Sequence, residues 1–407
     1  MYTLYGDGIH DDYPAIQEMI DSGVCEVALP APKKCYLISK TLTLPSYFRL
    51  VLPRYAEIKL MAQSNCPMLS NKMTKDYAVR VQSQVSDLCK HLWYHVNEYS
   101  PAPEHTSKHI EVEGGIWNFN NMEQRPNPEY LEDFSVYGYT GDGMLFYNAT
   151  YIKFRNMTFK DPVHYGLTLD RVSYFTCENI DFDYNEGNPV TANMDGIHMD
   201  GNCHHGVIRN IKGDVYDDMV AINAHEGSAG EISDILIDGV YCNQCHSAVR
   251  LLLVAEVVKN IHITNVHGTF WQYGIGITKF FPEDTTGYYD SITLDNIYAA
   301  KAPLHPFYGN WDLAIVWIQG TLPVRNLAIS NLHRREYNQN MATVYVGPDS
   351  VVDNMVLDTV TSENYIEQEM PLLRNCGTIR NLYTRNIHTD GDPEISGDGC
   401  IENVYKQ

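Results

Sequence analysis

From residue 151 to the C-terminus, apolar and polar residues alternate over short runs that stop, turn and start again. YIKFRNMTF, YFTCENIDF, HGVIRNIKG, ISDILIDGV, VKNIHITNV, YDSITLDNI, VRNLAISNL, VDNMVLDTV and IRNLYTRNI share this layout. Taking one equivalent turn residue from each gives Asn156, Asn179, Asn210, Gly239, Asn265, Asn296, Asn331, Thr359 and Asn386, with successive gaps of 23, 31, 29, 26, 31, 35, 28 and 27 residues. A period of that length signals a solenoid. Each period holds two or three short β-runs and no helix-length segment, so the repeating unit is a coil of parallel strands, not a helical pair. Asparagine recurs where the chain must turn, and stacked Asn side chains can bond one another in a ladder. The expected fold is all-β: a single-stranded parallel β-helix making one domain over residues 1–407.

The N-terminal part supplies the start of that solenoid. GDGIHDDYPAIQEMIDSG, residues 6–23, reads as a Gly/Asp turn followed by a short capping helix with Ile16, Met19 and Ile20 on one face. Asp7, Asp11 and Asp12 are expected to form the turn and cap the helix. Strand-like runs separated by prolines follow, interrupted by loop excursions at about 61–108 and 120–148. Aromatic residues in and around these excursions, Trp93 and Trp117 among them, either stack on sugar rings or pack over the scaffold.

Composition narrows the partners. A formal net charge of −22 without a basic cluster argues against nucleic acid and against an anionic membrane surface. There is no apolar run near 20 residues, and MYTLYGDG lacks a basic region followed by an apolar one, which predicts a cytoplasmic protein, or a secreted one if the chain has been trimmed. Ten cysteines are spread too widely for the disulfide framework of a small domain, so most are expected to be buried thiols.

Candidate chemistry concentrates in Asn193–Asn223, NMDGIHMDGNCHHGVIRNIKGDVYDDMVAIN, where Asp195, Asp217 and Asp218 sit in apolar, strand-like surroundings. Carboxylates are costly there unless they share a polar site. Strand alternation puts Asp195, Ile197 and Met199 on one face and Gly196, His198 and Asp200 on the other. Asp195 and Asp217 are 22 residues apart, close to one short coil, which places them on adjacent strands about 5 Å apart. Like charges at that range push their pKa values apart, so identical residues become one acid and one base. Cys242, Cys245 and His246 have metal-ligand chemistry but lack the second ligand pair of a zinc site, and no metal or other cofactor is expected. Asn148, Ala149 and Thr150 match a glycosylation acceptor, which matters only in a secreted protein.

NMDGIH resembles the NTDGIH motif of glycoside hydrolase family 28, the polygalacturonases and their relatives, and YDDMVAIN resembles its GDDCIAIN motif. GDGIHDD is similar to the GDG-TDD entry of the wider pectin-lyase-like superfamily, EGGIWNFNN to its GG-IDG-G segment, and CHSAVRLLLVAEVVKNIHITNVHGTFWQYGIGITK to the segments around GHG and RIK. The resemblance spans most of residues 1–280 in the family's order. It implies a right-handed helix and hydrolysis with inversion, with Asp217 as general acid, Asp195 and Asp218 activating water, and His246 keeping the acid protonated. Inversion asks for acid and base roughly 6.5 to 9.5 Å apart.

Departures from the family surround these motifs. Tyr216 replaces the Gly before the Asp pair, Cys245 and Ser247 replace the glycines around His246, and Gly276 and Thr278 stand where the family has the Arg and Lys that hold a substrate carboxylate. The expected substrate is therefore a pectin-related or a neutral poly- or oligosaccharide, contacted by His198, His225, Glu226, Arg250 and Lys279, with exo cleavage as a corollary of the long loops. The other readings are a lyase or epimerase on the same scaffold and a tailspike-like carbohydrate-binding protein without turnover.

Overall fold

The computed structural model describes residues 3–72, 106–126, 141–188, 191, 193–225, 227–279, 286–303 and 313–406. These hold 26 strands, one α-helix and a single 3-10 turn, and they group into two compact units, Met1–Asp217 with Glu226–Ala229, and Asp218–His225 with Gly230–Gln407.

In the first unit the helix Tyr13–Asp21 buries Ala15, Ile16 and Ile20, close to the face expected, although Met19 stays half-exposed. Asp12 occupies the N-cap position without making a side-chain cap bond. Its carboxylate instead accepts from the backbone N–H groups of Tyr5, Gly6 and Leu37, at 2.6, 3.1 and 3.2 Å, which ties the entry turn to the first strands. Asp7 and Asp11 do form turns, accepting from the N–H groups of Ile9 and Tyr13. The excursion boundaries shift: Leu69–Asn71 and Ser107–Glu113 are strands, and the second excursion ends where the strand Met144–Lys160 begins. Those short strands pair with long ones, so their registry outweighs the polar residues around them. Trp93 lies outside the described residues. Trp117 is fully buried and donates its indole N–H to the Gly114 carbonyl at 3.0 Å, so it packs in the core.

Parallel pairing stacks like on like. Met144–Lys160 pairs with Leu167–Asp183, placing Phe154 beside Cys177 and Met157 beside Ile180. Leu167–Asp183 pairs in turn with His204–Asp214, where Cys177 meets Ile208 and Ile180 meets Ile211. The second unit repeats this with Ile237, Ile263, Leu294, Ile329 and Leu357 in one row. Each inward position thus meets its counterpart in the next coil, and burial of these rows supplies the main driving force for folding.

All nine predicted turn residues adopt positive φ, from 50° at Asn210 and Asn331 to 89° at Gly239. Asn tolerates this left-handed region because its short amide bonds locally, and the amides do line up. Asn179 donates to Asn156 at 3.0 Å and Asn210 to Asn179 at 2.6 Å in the first unit, and Asn296 donates to Asn265 in the second. A second ladder runs Asn403, Asn381, Asn354, Asn326, with each amide donating to the next at 3.0 to 3.2 Å. Each unit is therefore a stack of parallel β-coils with Asn-lined corners.

Of the nine described cysteines all are free; four are buried, three half-buried and two exposed, so buried thiols are not the majority expected. No helix among the described residues is long and apolar enough to cross a membrane.

Candidate active site

The carboxylates sit at the entries to strands, not inside them. Ile197–Met199 pairs with Leu167–Leu169, and Asp195 lies in the turn leading into it. Its backbone carbonyl accepts from the Gly166 N–H at 2.9 Å and from the Tyr184 hydroxyl at 3.1 Å. Tyr216 N–H donates to the Met194 carbonyl at 3.3 Å, which brings the segment before Asp217 against the segment before Asp195. The two carboxylates consequently offer oxygens within 4.8 Å of one another. Asp195 is 2% exposed, while Asp217 is half-buried.

Because the strand starts only at Ile197, strand alternation does not govern Asp195, and the expectation that it faces away from His198 is overturned. His198 Nδ1 lies 2.7 Å from Asp195 Oδ2, and its Nε2 lies 3.3 Å from Asp200 Oδ1. The ring is 1% exposed and stacks on Tyr165 at a centroid distance of 3.7 Å. Burial works against its charge, but the hydrogen bonds to Asp195 and Asp200 outweigh it and hold its pKa well above the ordinary histidine value. His198 is thus placed behind Asp195. Asp200 was visible in the sequence only as the second acid of MDGIHMDG.

Asp218, peptide-bonded to Asp217, opens the second unit's strand Asp218–Asn223, which pairs with Ser247–Leu253 so that Asp218 faces Ser247. Asp218 is buried and accepts a hydrogen bond from the Ser247 hydroxyl. Ser247 stands where the resembled family has glycine, so this donor is one of the chain's own. His246, just before it, is 7% exposed, and its carbonyl accepts from the Gln272 N–H at 3.0 Å.

The RIK departures acquire a physical reason. A Cβ built on Gly276 would lie 2.6 Å from two ring atoms of Tyr273, so the phenol ring fills the space that a side chain at 276 would need. That ring stacks on Trp317, with centroids 5.7 Å apart and planes 16° from parallel. Thr278 is buried; its hydroxyl donates to the Leu251 carbonyl at 2.8 Å and accepts from Arg250 Nε at 3.2 Å. Arg250, aligned with Gly276 across the strand pair, is half-buried. Gly276 aligns in turn with Trp317, Trp317 with Tyr345 and Tyr345 with Arg374. Trp317, Tyr345 and Arg374 line a groove of about 550 Å³ in the second unit.

The remaining predicted contacts are placed less favourably. Lys279 is 1% exposed and donates from Nζ to the Thr286 carbonyl at 3.0 Å. His225 pairs with Glu256, whose other oxygen accepts from the N–H groups of Val254 and Ala255, both at 2.9 Å. Glu226 lies outside the described residues. As for a cation, Cys242, Cys245 and His246 form no three-ligand group among the described residues.

No protein-family model and no curated protein sequence matches the chain. Solved structures do. The chain is similar to the surface adhesin PfbA of Streptococcus pneumoniae at 12% identity, with a TM-score of 0.59 and coverage of 100% of this chain and 90% of that one. It is similar to a hyperthermoactive exopolygalacturonase from Thermotoga maritima at 12% identity, TM-score 0.57, covering 99% and 89%. A family 28 exopolygalacturonase from Yersinia enterocolitica gives 14% identity and a TM-score of 0.54 over 100% of this chain and 76% of the other. At such identities the likeness defines the fold, a right-handed parallel β-helix.

Proposed function

We propose that the protein is a glycoside hydrolase acting on a poly- or oligosaccharide. The observation that carries this reading is the Asp195 and Asp217 pair, two carboxylates with oxygens within 4.8 Å, set in the motifs that resemble those of family 28. Asp217, the less buried of the two, is the general acid, and Asp195 is the base that activates water. Asp218 assists as a second base and His246 keeps the acid protonated, roles carried over from the motifs. The exopolygalacturonases among its structural neighbours support a carbohydrate substrate.

The motifs imply inversion, for which carboxyl groups stand roughly 6.5 to 9.5 Å apart, against roughly 5 to 5.5 Å for retention. NMR of the anomer first released decides between them: inversion means direct attack by water, retention a glycosyl-enzyme intermediate. In the second unit the half-buried Trp317 indole, backed by the buried Tyr273 ring, is a surface for an apolar sugar face, and Arg250 and Arg374 are cations for an acidic substituent. Product analysis on neutral and pectic oligosaccharides tests the function. Turnover that falls roughly 10²- to 10⁴-fold in Asp217→Asn, with the fold intact, is the expected result; full activity in that variant refutes it. An absorbance increase from an unsaturated product would identify a lyase instead, and binding without turnover an adhesin.

A further inference from the structure

We propose that His198 is held as an imidazolium between Asp195 and Asp200, and that it is the positioning residue that keeps Asp195 ionised beside Asp217. Its catalytic consequence rests on the hydrolase reading; its charge state does not.

The geometry carries the charge. Both ring nitrogens face carboxylate oxygens, at 2.7 and 3.3 Å. A neutral imidazole has one N–H, so one of those contacts would set lone pair against lone pair. With two N–H groups the ring satisfies both. A second histidine in the same aromatic stack provides the contrast. His164 lies 3.8 Å from Tyr165 on centroids, contacts Asp142 Oδ1 through Nδ1 at 3.3 Å, and meets the Asn193 amide nitrogen through Nε2 at 2.9 Å. His164 Nε2 thus faces an amide donor where His198 Nε2 faces a second carboxylate. Between the two, the electron-rich face of Tyr165 favours a cation on the His198 side.

The neighbouring acids balance the count. Asp170 is 1% exposed; one of its oxygens accepts from the Ser228 N–H at 3.1 Å, and the other has no hydrogen-bond partner among the described residues. Asp170 and Asp200 converge on Gly227, where a Cβ would lie 2.8 and 2.3 Å from their oxygens. Burial first, and the charge of Asp200 second, raise the pKa of Asp170 well above its ordinary value. Burial raises the pKa of Asp200 as well, but its hydrogen bond to His198 works against that rise, so Asp170 holds its proton more firmly of the two, and His198 faces Asp195 and Asp200. Arg171 also faces Asp170 and lowers its pKa, and the charge of Asp142 raises that of Asp200; burial raises Tyr184 and Cys203 well above their ordinary values, so both are neutral.

For the pair of like acids this breaks the symmetry. The cation stabilises the ionised form of Asp195, and the resulting negative charge raises the proton affinity of Asp217. Base and acid are thus assigned by the residue behind them.

The test uses the full chain with ¹⁵N-labelled histidine, with the His198 signals assigned by their loss in His198→Gln. Both ring nitrogens of His198 are expected to stay protonated at pH 8, where an ordinary histidine is neutral. Titration near 6.5 overturns the proposal. If His198→Gln does not fold, Asp200→Asn takes its place: removal of one carboxylate must move the His198 titration to lower pH, and no movement overturns the proposal. In kinetics, His198→Gln should lower kcat roughly 10- to 100-fold with little change in KM, and should move the acidic limb of the pH profile upward. Uniform loss at every pH would mark a merely structural role and refute the positioning role. An imidazolium in a wild type that hydrolyses no oligosaccharide would leave the charge state standing and sink the hydrolase reading.

Discussion

Placing a methyl group on Gly276 probes whether Tyr273 has taken over the room that a basic side chain would use. The added carbon would meet two ring atoms at 2.6 Å and a third at 3.1 Å, against an optimal carbon separation of about 3.5 to 4.0 Å. The overlap of about 1 Å falls on a ring that is 1% exposed and stacked on Trp317, so the ring cannot simply rotate into solvent. Overpacking of this kind costs about 1 to 3 kcal/mol. Tyr273→Ala alone empties a buried aromatic site and should cost about 3 to 5 kcal/mol, as for other large aromatic truncations. In the double variant the clash is gone, so the two changes should fall short of additivity by about 1 to 3 kcal/mol. Equilibrium denaturation of the wild type, both single variants and the double variant closes the cycle. Strict additivity refutes the claim that these two positions compete for one space. If the cycle closes as expected, Gly276→Arg in a Tyr273→Gly background should raise the ratio of activity on galacturonate oligomers to that on neutral ones.

Other expectations follow from the same geometry. Trp317→Ala should weaken oligosaccharide binding severalfold by calorimetry, because it removes a stacking surface from the second unit's groove. Asp170 has a raised pKa in the fold, so its contribution to stability is present below the ordinary Asp pKa and is lost as pH rises through the folded value. Asp170→Asn should therefore flatten the decline in unfolding free energy as pH rises above about 4, by up to about 1.4 kcal/mol per pH unit, and an unchanged slope would refute a protonated Asp170. Asn296→Ala should cost about 1 to 2 kcal/mol by chemical denaturation, from a ladder bond to Asn265 and a left-handed backbone, while Asn296→Gly should cost less. Ser247→Gly should leave a buried Asp218 one donor short and lower stability by about 1 to 3 kcal/mol.

The coil was legible because its rule is local and repeats. A turn residue flanked by alternating apolar residues, Asn in seven of the nine periods with Gly239 and Thr359 in the others, meets the same demand each time, and all nine positions have positive φ. The excursion boundaries were not legible, because Leu69–Asn71 and the start of Met144–Lys160 are strands by virtue of the strands they pair with, and pairing partners leave no trace in a local window. The same distinction divides the site. The closeness of Asp195 and Asp217 followed from one coil's length, a property of the chain alone. The partner of Asp195 did not follow, since strand alternation would put His198 on the far face, and only the turn before Ile197 brings the carboxylate round to the ring. What the family comparison read as losses, Gly276 and Thr278, became exchanges: Tyr273 fills the first gap, and Thr278 braces Arg250 at 3.2 Å. Where the resembled motifs carry two basic residues, this chain packs an aromatic ring at one position and anchors the guanidinium of the facing strand at the other. In the hydrolase we propose, selectivity then rests on stacking at Trp317 and on the guanidinium groups of Arg250 and Arg374.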